Sequence, residues 1–124
     1  MRFLRILLAA FGVSGIHPVL AADAVDLPKI EIFMPSPCLA CIDWGAYLAE
    51  KGFKVSYRET EDMAAIKKRW RVPPAVQSTH TAVIAGYFVE GHAHAEDIHE
   101  LLRDKPKARG IAVLRVDQVH GLAL

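Results

Sequence analysis

Lys29-Ile30-Glu31-Ile32-Phe33-Met34-Pro35-Ser36-Pro37-Cys38-Leu39-Ala40-Cys41-Ile42-Asp43-Trp44 is the stretch on which the fold turns. Ile30, Ile32 and Met34 alternate with Lys29, Glu31 and Phe33, so Lys29 to Met34 reads as a strand that stops at the two prolines. The period then changes. Cys41, Trp44, Tyr47 and Leu48 recur at three and four residues, and Lys51-Gly52 supplies a basic last turn and a glycine stop, which predicts a helix. Phe53 to Tyr57 alternates again. Strand, helix and strand with such short connections predict a right-handed βαβ unit with parallel strands. Two cysteines sit where its first strand hands over to its helix.

Outward from this unit, Thr60 is the expected cap of a second helix. Its first turn carries Glu61 and Asp62, its apolar side Met63, Ile66 and Trp70, and its last turn Lys67, Lys68 and Arg69, charges that suit the helix dipole. Val72-Pro73-Pro74 ends it, with Pro73 or Pro74 a candidate cis position. Thr81 to Ile84 and Tyr87 to Glu90 flank Ala85-Gly86 and read as a β-hairpin. Glu96, Asp97, Ile98, Leu101 and Leu102 mark a third helix closed by Lys105-Pro106, and Ile111 to Val116 a further short strand. The order β-α-β-α-β-β-α predicts an α/β sandwich of two or three layers, with a parallel pair first and an antiparallel hairpin second. That order resembles the minimal thioredoxin-like fold.

The 124 residues carry 15 basic and 14 acidic side chains, a balance that argues against a nucleic-acid binder, and two cysteines, which close at most one bridge. Arg2 and Arg5, the apolar run from Ile6 to Leu20 and the small residues Ala21 and Ala22 read as a secretory signal peptide over residues 1–22. Its removal takes Arg2 and Arg5 from the 15 basic residues, leaving 13 against 14 acidic and a net charge of about −1 on a single domain, residues 23–124. His17 and Pro18 interrupt a run already shorter than the ~20 apolar residues of a membrane span. No membrane association is expected after cleavage. The expected compartment is the periplasm, where thiols can oxidise.

Cys38-Leu39-Ala40-Cys41 at a helix start suits thiolate chemistry, because unsatisfied N–H groups and the dipole favour the anion. A thiolate attacks disulfides, or it binds a soft metal such as Cu(I), with zinc a poorer match. An inert bridge between near neighbours is the bland alternative, and so short a loop adds little stability. His80 and His92 bracket the hairpin. A two-residue loop puts His80 opposite Gly91, and a G1 bulge at Gly86 would put it opposite His92. Either register leaves both imidazoles at the open end, able to approach the cysteine loop. His94 is weighed as a solvated loop residue, His99 as a surface residue and Met34 as core; Trp44 and Trp70 are expected to pack their helices on the sheet.

Ser36-Pro37-Cys38-Leu39-Ala40-Cys41-Ile42-Asp43-Trp44, Lys51-Gly52-Phe53, His80-Thr81-Ala82-Val83 and Gly86-Tyr87-Phe88-Val89-Glu90-Gly91-His92, in that order, resemble the CopG-type copper-resistance family, long catalogued as a domain of unknown function. The resemblance runs from about Lys29 to Leu114 and implies a periplasmic, thioredoxin-like protein that binds copper through cysteines. Ala40 stands where that family carries a middle cysteine, Thr79 where a further cysteine often precedes the His-Thr-Ala block, and His94 where it has proline. Leu114-Arg115-Val116-Asp117 replaces its Gly- and Met-containing tail. With two thiols in place of four, a smaller site is expected, copper held by Cys38 and Cys41 with His80 or His92. The expected partners are the metal ion and other periplasmic copper-handling proteins. The alternatives are a thiol-disulfide oxidoreductase using Cys38 and Cys41, and a zinc- or nickel-binding or docking module. Enzymatic activity is left open by the sequence, with a non-enzymatic role favoured.

Overall fold

The computed structural model describes residues 26–114. The expected signal peptide and the end of the last expected strand lie outside them. The elements run β1 (Ile30–Met34), α1 (Leu39–Glu50), β2 (Val55–Glu59), α2 (Met63–Arg69), a short 3-10 turn (Pro74–Val76), β3 (Thr81–Ile84), β4 (Tyr87–Glu90), α3 (Ala95–Asp104) and β5 (Gly110–Ala112). They form one five-stranded sheet in the order β2-β1-β3-β4-β5. β1 and β2 are parallel, β3 is antiparallel to both β1 and β4, and β5 runs parallel to β4. The α/β sandwich read from the sequence is therefore the architecture observed.

Strand alternation decides what each face buries. Ile30, Ile32 and Met34 are at most 2% exposed and pack with Cys41, Trp44 and Leu48 of α1 and Ala95 and Ile98 of α3. The opposite face, through Thr81 and Glu90, meets Lys67 of α2. Helices thus cover both faces, making three layers. Burying side chains such as Leu48 or Ile98 stabilises by roughly 1.5 to 3 kcal/mol each.

Helix ends explain where the observed bounds differ from the expected ones. Phe53 is expected to open β2, but its N–H donates to Leu48 O (3.1 Å) while Gly52 N–H donates to Ala49 O (3.0 Å), with Gly52 at φ +96°. This Schellman closure commits Phe53 to ending α1, and β2 begins at Val55. Thr60 does not cap α2. Its N–H still donates to Met34 O (2.9 Å), and Asp62 takes the cap by accepting from Ala65 N (2.9 Å). The cis peptide precedes Pro37 rather than Pro73 or Pro74.

The hairpin follows the two-residue register, with Ile84 opposite Tyr87 and Ala82 opposite Val89, so no bulge shifts His80. Ala85 (φ 48°) and Gly86 (φ 85°) are both left-handed, as a type I′ turn requires. Gly110 in β5 lies so close to Phe88 that an added Cβ would stand 2.1 Å from its carbonyl oxygen. No helix among the described residues is long and apolar enough to cross a membrane.

Candidate metal centre

Cys38 is the N-cap of α1 and Cys41 lies one turn into it, and the two are joined by a disulfide with Cα atoms 5.3 Å apart. Cys38 is half-buried, whereas Cys41 is 1% exposed and belongs to the core. The first turn forms on the backbone of the cap residue, since Cys41 N–H and Ile42 N–H both donate to Cys38 O (3.2 Å each). The sulfurs consequently sit at the positive end of a twelve-residue helix.

His80 immediately precedes β3 and His92 is the second residue after β4, so the hairpin carries both to its open end. Their ring centroids are 5.3 Å apart and nearly parallel, at 21°. Trp44, one turn beyond Cys41, completes a three-ring cluster, 4.8 Å from His80 and 5.7 Å from His92. Its Nε1–H donates to Ala93 O (2.9 Å) in the interior, which fixes the indole plane. Trp44 packs its helix as expected, but its contact with both imidazole rings was not read from the sequence. Helical spacing from Cys41 was the available signal.

Cys38, Cys41, His80 and His92 all line one cavity of about 650 Å³. The four residues singled out from the sequence therefore face one cavity, although they come from two segments about 40 residues apart. The others do not join them. Met34 is 2% exposed in the core, His94 is the exposed N-cap of α3, and His99 lies on the surface with its ring 4.8 Å from that of Phe53. Trp70 caps the end of α2 and lines, with Phe33 and Val83, a second pocket that shares no residue with the cavity.

Burial shapes the electrostatics. His80 is 1% exposed, and its pKa is pushed down to about 4. Loss of hydration is the main cause and the neighbouring His92 the next, outweighing the opposing pull of Glu90 and of the Gly91 carbonyl. At neutral pH this ring is an uncharged imidazole, the form that can give a lone pair to a metal. With the disulfide closed, neither sulfur is a thiolate, and no group of three or more His, Cys, Asp or Glu side chains among the described residues converges as a metal cage. Reduction would add two sulfur donors beside two imidazoles. That donor set suits a soft ion such as Cu(I), with Zn(II) as a competitor.

Comparison with known proteins adds a second line. The family described as "Protein of unknown function, DUF411" matches residues 76–116, the part that carries the hairpin and both imidazoles. The solved structure "Copper resistance protein copG- Form 1" is 41% identical with a TM-score of 0.65, covering 69% of this chain and 68% of that one. The chain belongs to the CopG-type copper-resistance family. Form 2 of the same protein agrees, at 41% identity and a TM-score of 0.66 over the same shares. No curated protein matches. The CopG-type resemblance read from the cysteine loop and the hairpin blocks is thus upheld.

A feature that the sequence reading missed lies behind the CopG-type hairpin. Lys67, expected only to suit the α2 dipole, is buried and paired with Glu90, which is fully buried at the end of β4. Glu90 shares its sheet face with Thr81, whose hydroxyl donates to it. A carboxylate closing the apolar run Tyr87-Phe88-Val89 was the signal, since a buried acid demands a partner.

Proposed function

We propose that this chain is an exported, periplasmic copper-binding protein of copper resistance, with residues 1–22 as its signal peptide and residues 23–124 as the mature domain. Copper is its cargo. Reduction of the Cys38–Cys41 disulfide by two electrons and two protons gives two thiols, and loss of their protons on binding leaves thiolates that favour Cu(I) over harder ions. His80 and His92 are the imidazole donors at the same cavity. The single observation that carries this reading is that cavity, whose lining includes the two cysteines and the two histidines. The copper-resistance names of the two similar structures support it.

The test is Cu(I) titration of the reduced mature chain against a chromophoric chelator. About one equivalent is expected to bind, with affinity lost in the Cys38→Ser, Cys41→Ser double variant. No binding, or equal affinity in that variant, overturns the reading. Zinc added in excess should not displace the copper.

One observation favours a second reading, thiol-disulfide exchange. The disulfide joins a half-buried sulfur at a helix N-terminus to a buried one, an asymmetry that suits an attacking Cys38 and a resolving Cys41. Disulfide reductase activity abolished by Cys38→Ser, in a chain without copper affinity, would replace the first reading with this one.

A further inference from the structure

Behind the two imidazoles lies a set of buried and half-buried polar groups for which copper binding alone gives no reason. Lys67 Nζ lies 3.1 and 3.0 Å from the two carboxylate oxygens of Glu90, 2.9 Å from Thr81 Oγ1 and 3.1 Å from His80 O. Ser78 N–H donates to Glu90 Oε2 (2.7 Å), and Ser78 Oγ stands 2.7 Å from that same oxygen and 2.7 Å from His80 O. The Gly91 peptide is tied to this network at its nitrogen, since Gly91 N–H donates to Ser78 Oγ (3.0 Å). Gly91 O in turn lies 3.2 Å from His80 Nε2. Taking two charges out of water is costly, and an apolar pair of similar volume often folds as well. The network's distinctive product is the place of one carbonyl oxygen.

A carbonyl oxygen only accepts, so the proton of this contact sits on Nε2, and a neutral ring then has its lone pair on Nδ1. We propose that Lys67, Ser78 and Glu90 are positioning residues that, through the Gly91 carbonyl, hold His80 as the Nε2–H tautomer and leave Nδ1 as its metal-binding nitrogen. A carbonyl that fixes the tautomer and orientation of a ligating imidazole is a recurrent device of metal sites. The use of Nδ1 rests on the copper-binding reading; the tautomer does not.

The test uses histidine-labelled, reduced, metal-free mature chain at pH 7, read by long-range proton–nitrogen correlation. Wild-type His80 should show a protonated Nε2 and a bare Nδ1. Ser78→Ala and Glu90→Gln should give averaged nitrogen shifts and bind Cu(I) about 10-fold or more weakly, whereas His99→Gln should change neither. A wild-type His80 protonated on Nδ1, or both variants keeping the wild-type pattern and affinity, overturns the proposal. Ser78→Ala leaves the buried ion pair intact and decides the matter should Glu90→Gln fail to fold. A wild-type chain that holds the Nε2–H tautomer, loses it in Ser78→Ala and binds no copper upholds the positioning and contradicts the proposed function alone.

Discussion

Lowering the pH from 7.5 to 4.5 should destabilise this protein through His80. The folded pKa, about 4, lies below the ordinary value of 6.5. As pH falls, the unfolded chain takes up the proton first, so stability drops from about 6.5 downward and levels off, for this group, below about 4. At about 1.4 kcal/mol per unit, a shift of this size corresponds to roughly 3 kcal/mol, of which about 2 to 3 kcal/mol falls between pH 7.5 and 4.5. Carboxylates also begin to titrate near pH 4.5, so a control is needed. His80→Gln removes the titration and retains an amide that can donate to Gly91 O. Urea unfolding of oxidised, chelator-treated protein, followed by circular dichroism at several pH values, gives both curves. Wild type is expected to lose about 2 to 3 kcal/mol more than His80→Gln over the window. Parallel curves, or a wild type that loses less, would refute the burial argument.

Three further outcomes follow from the geometry. Lys67→Met strands the buried Glu90 carboxylate and should cost about 3 to 5 kcal/mol in urea unfolding, with much of the loss recovered when Glu90→Leu is added; an equal loss in the double variant would contradict the pairing. Ala85→Asn relieves a left-handed alanine in the hairpin turn and should stabilise by about 0.5 to 1 kcal/mol, seen as a raised Tm. Gly110→Ala forces a Cβ against the Phe88 carbonyl and should cost about 1 to 3 kcal/mol, with faster hydrogen exchange at the β4–β5 pairing.

The parts of the fold legible in the sequence are those governed by local period and turn chemistry. Alternation gave β1, Ala85-Gly86 gave the hairpin and its two-residue register, and the register put His80 opposite Gly91. Boundaries failed where a hydrogen bond from elsewhere decided them, as when Met34 O holds Thr60 to the end of the sheet and the cap passes to Asp62. Cys38, Cys41, His80 and His92 were legible because their chemistry stands out by residue type. Lys67, Ser78 and Glu90 were not, because each is ordinary on its own element and becomes unusual only when α2 packs across the sheet onto the Thr81–Glu90 pair. Trp44 belongs to both groups: its burial follows from helical spacing, but its stacking on two imidazoles depends on a hairpin 36 residues away in the chain.

The most direct test of the central claim is X-ray absorption at the copper edge of the reduced mature chain loaded with one equivalent of Cu(I). The account predicts a first shell of two sulfurs together with imidazole nitrogen, and loss of the sulfur scattering in the Cys38→Ser, Cys41→Ser variant. A first shell of nitrogen and oxygen alone in the wild type would contradict it.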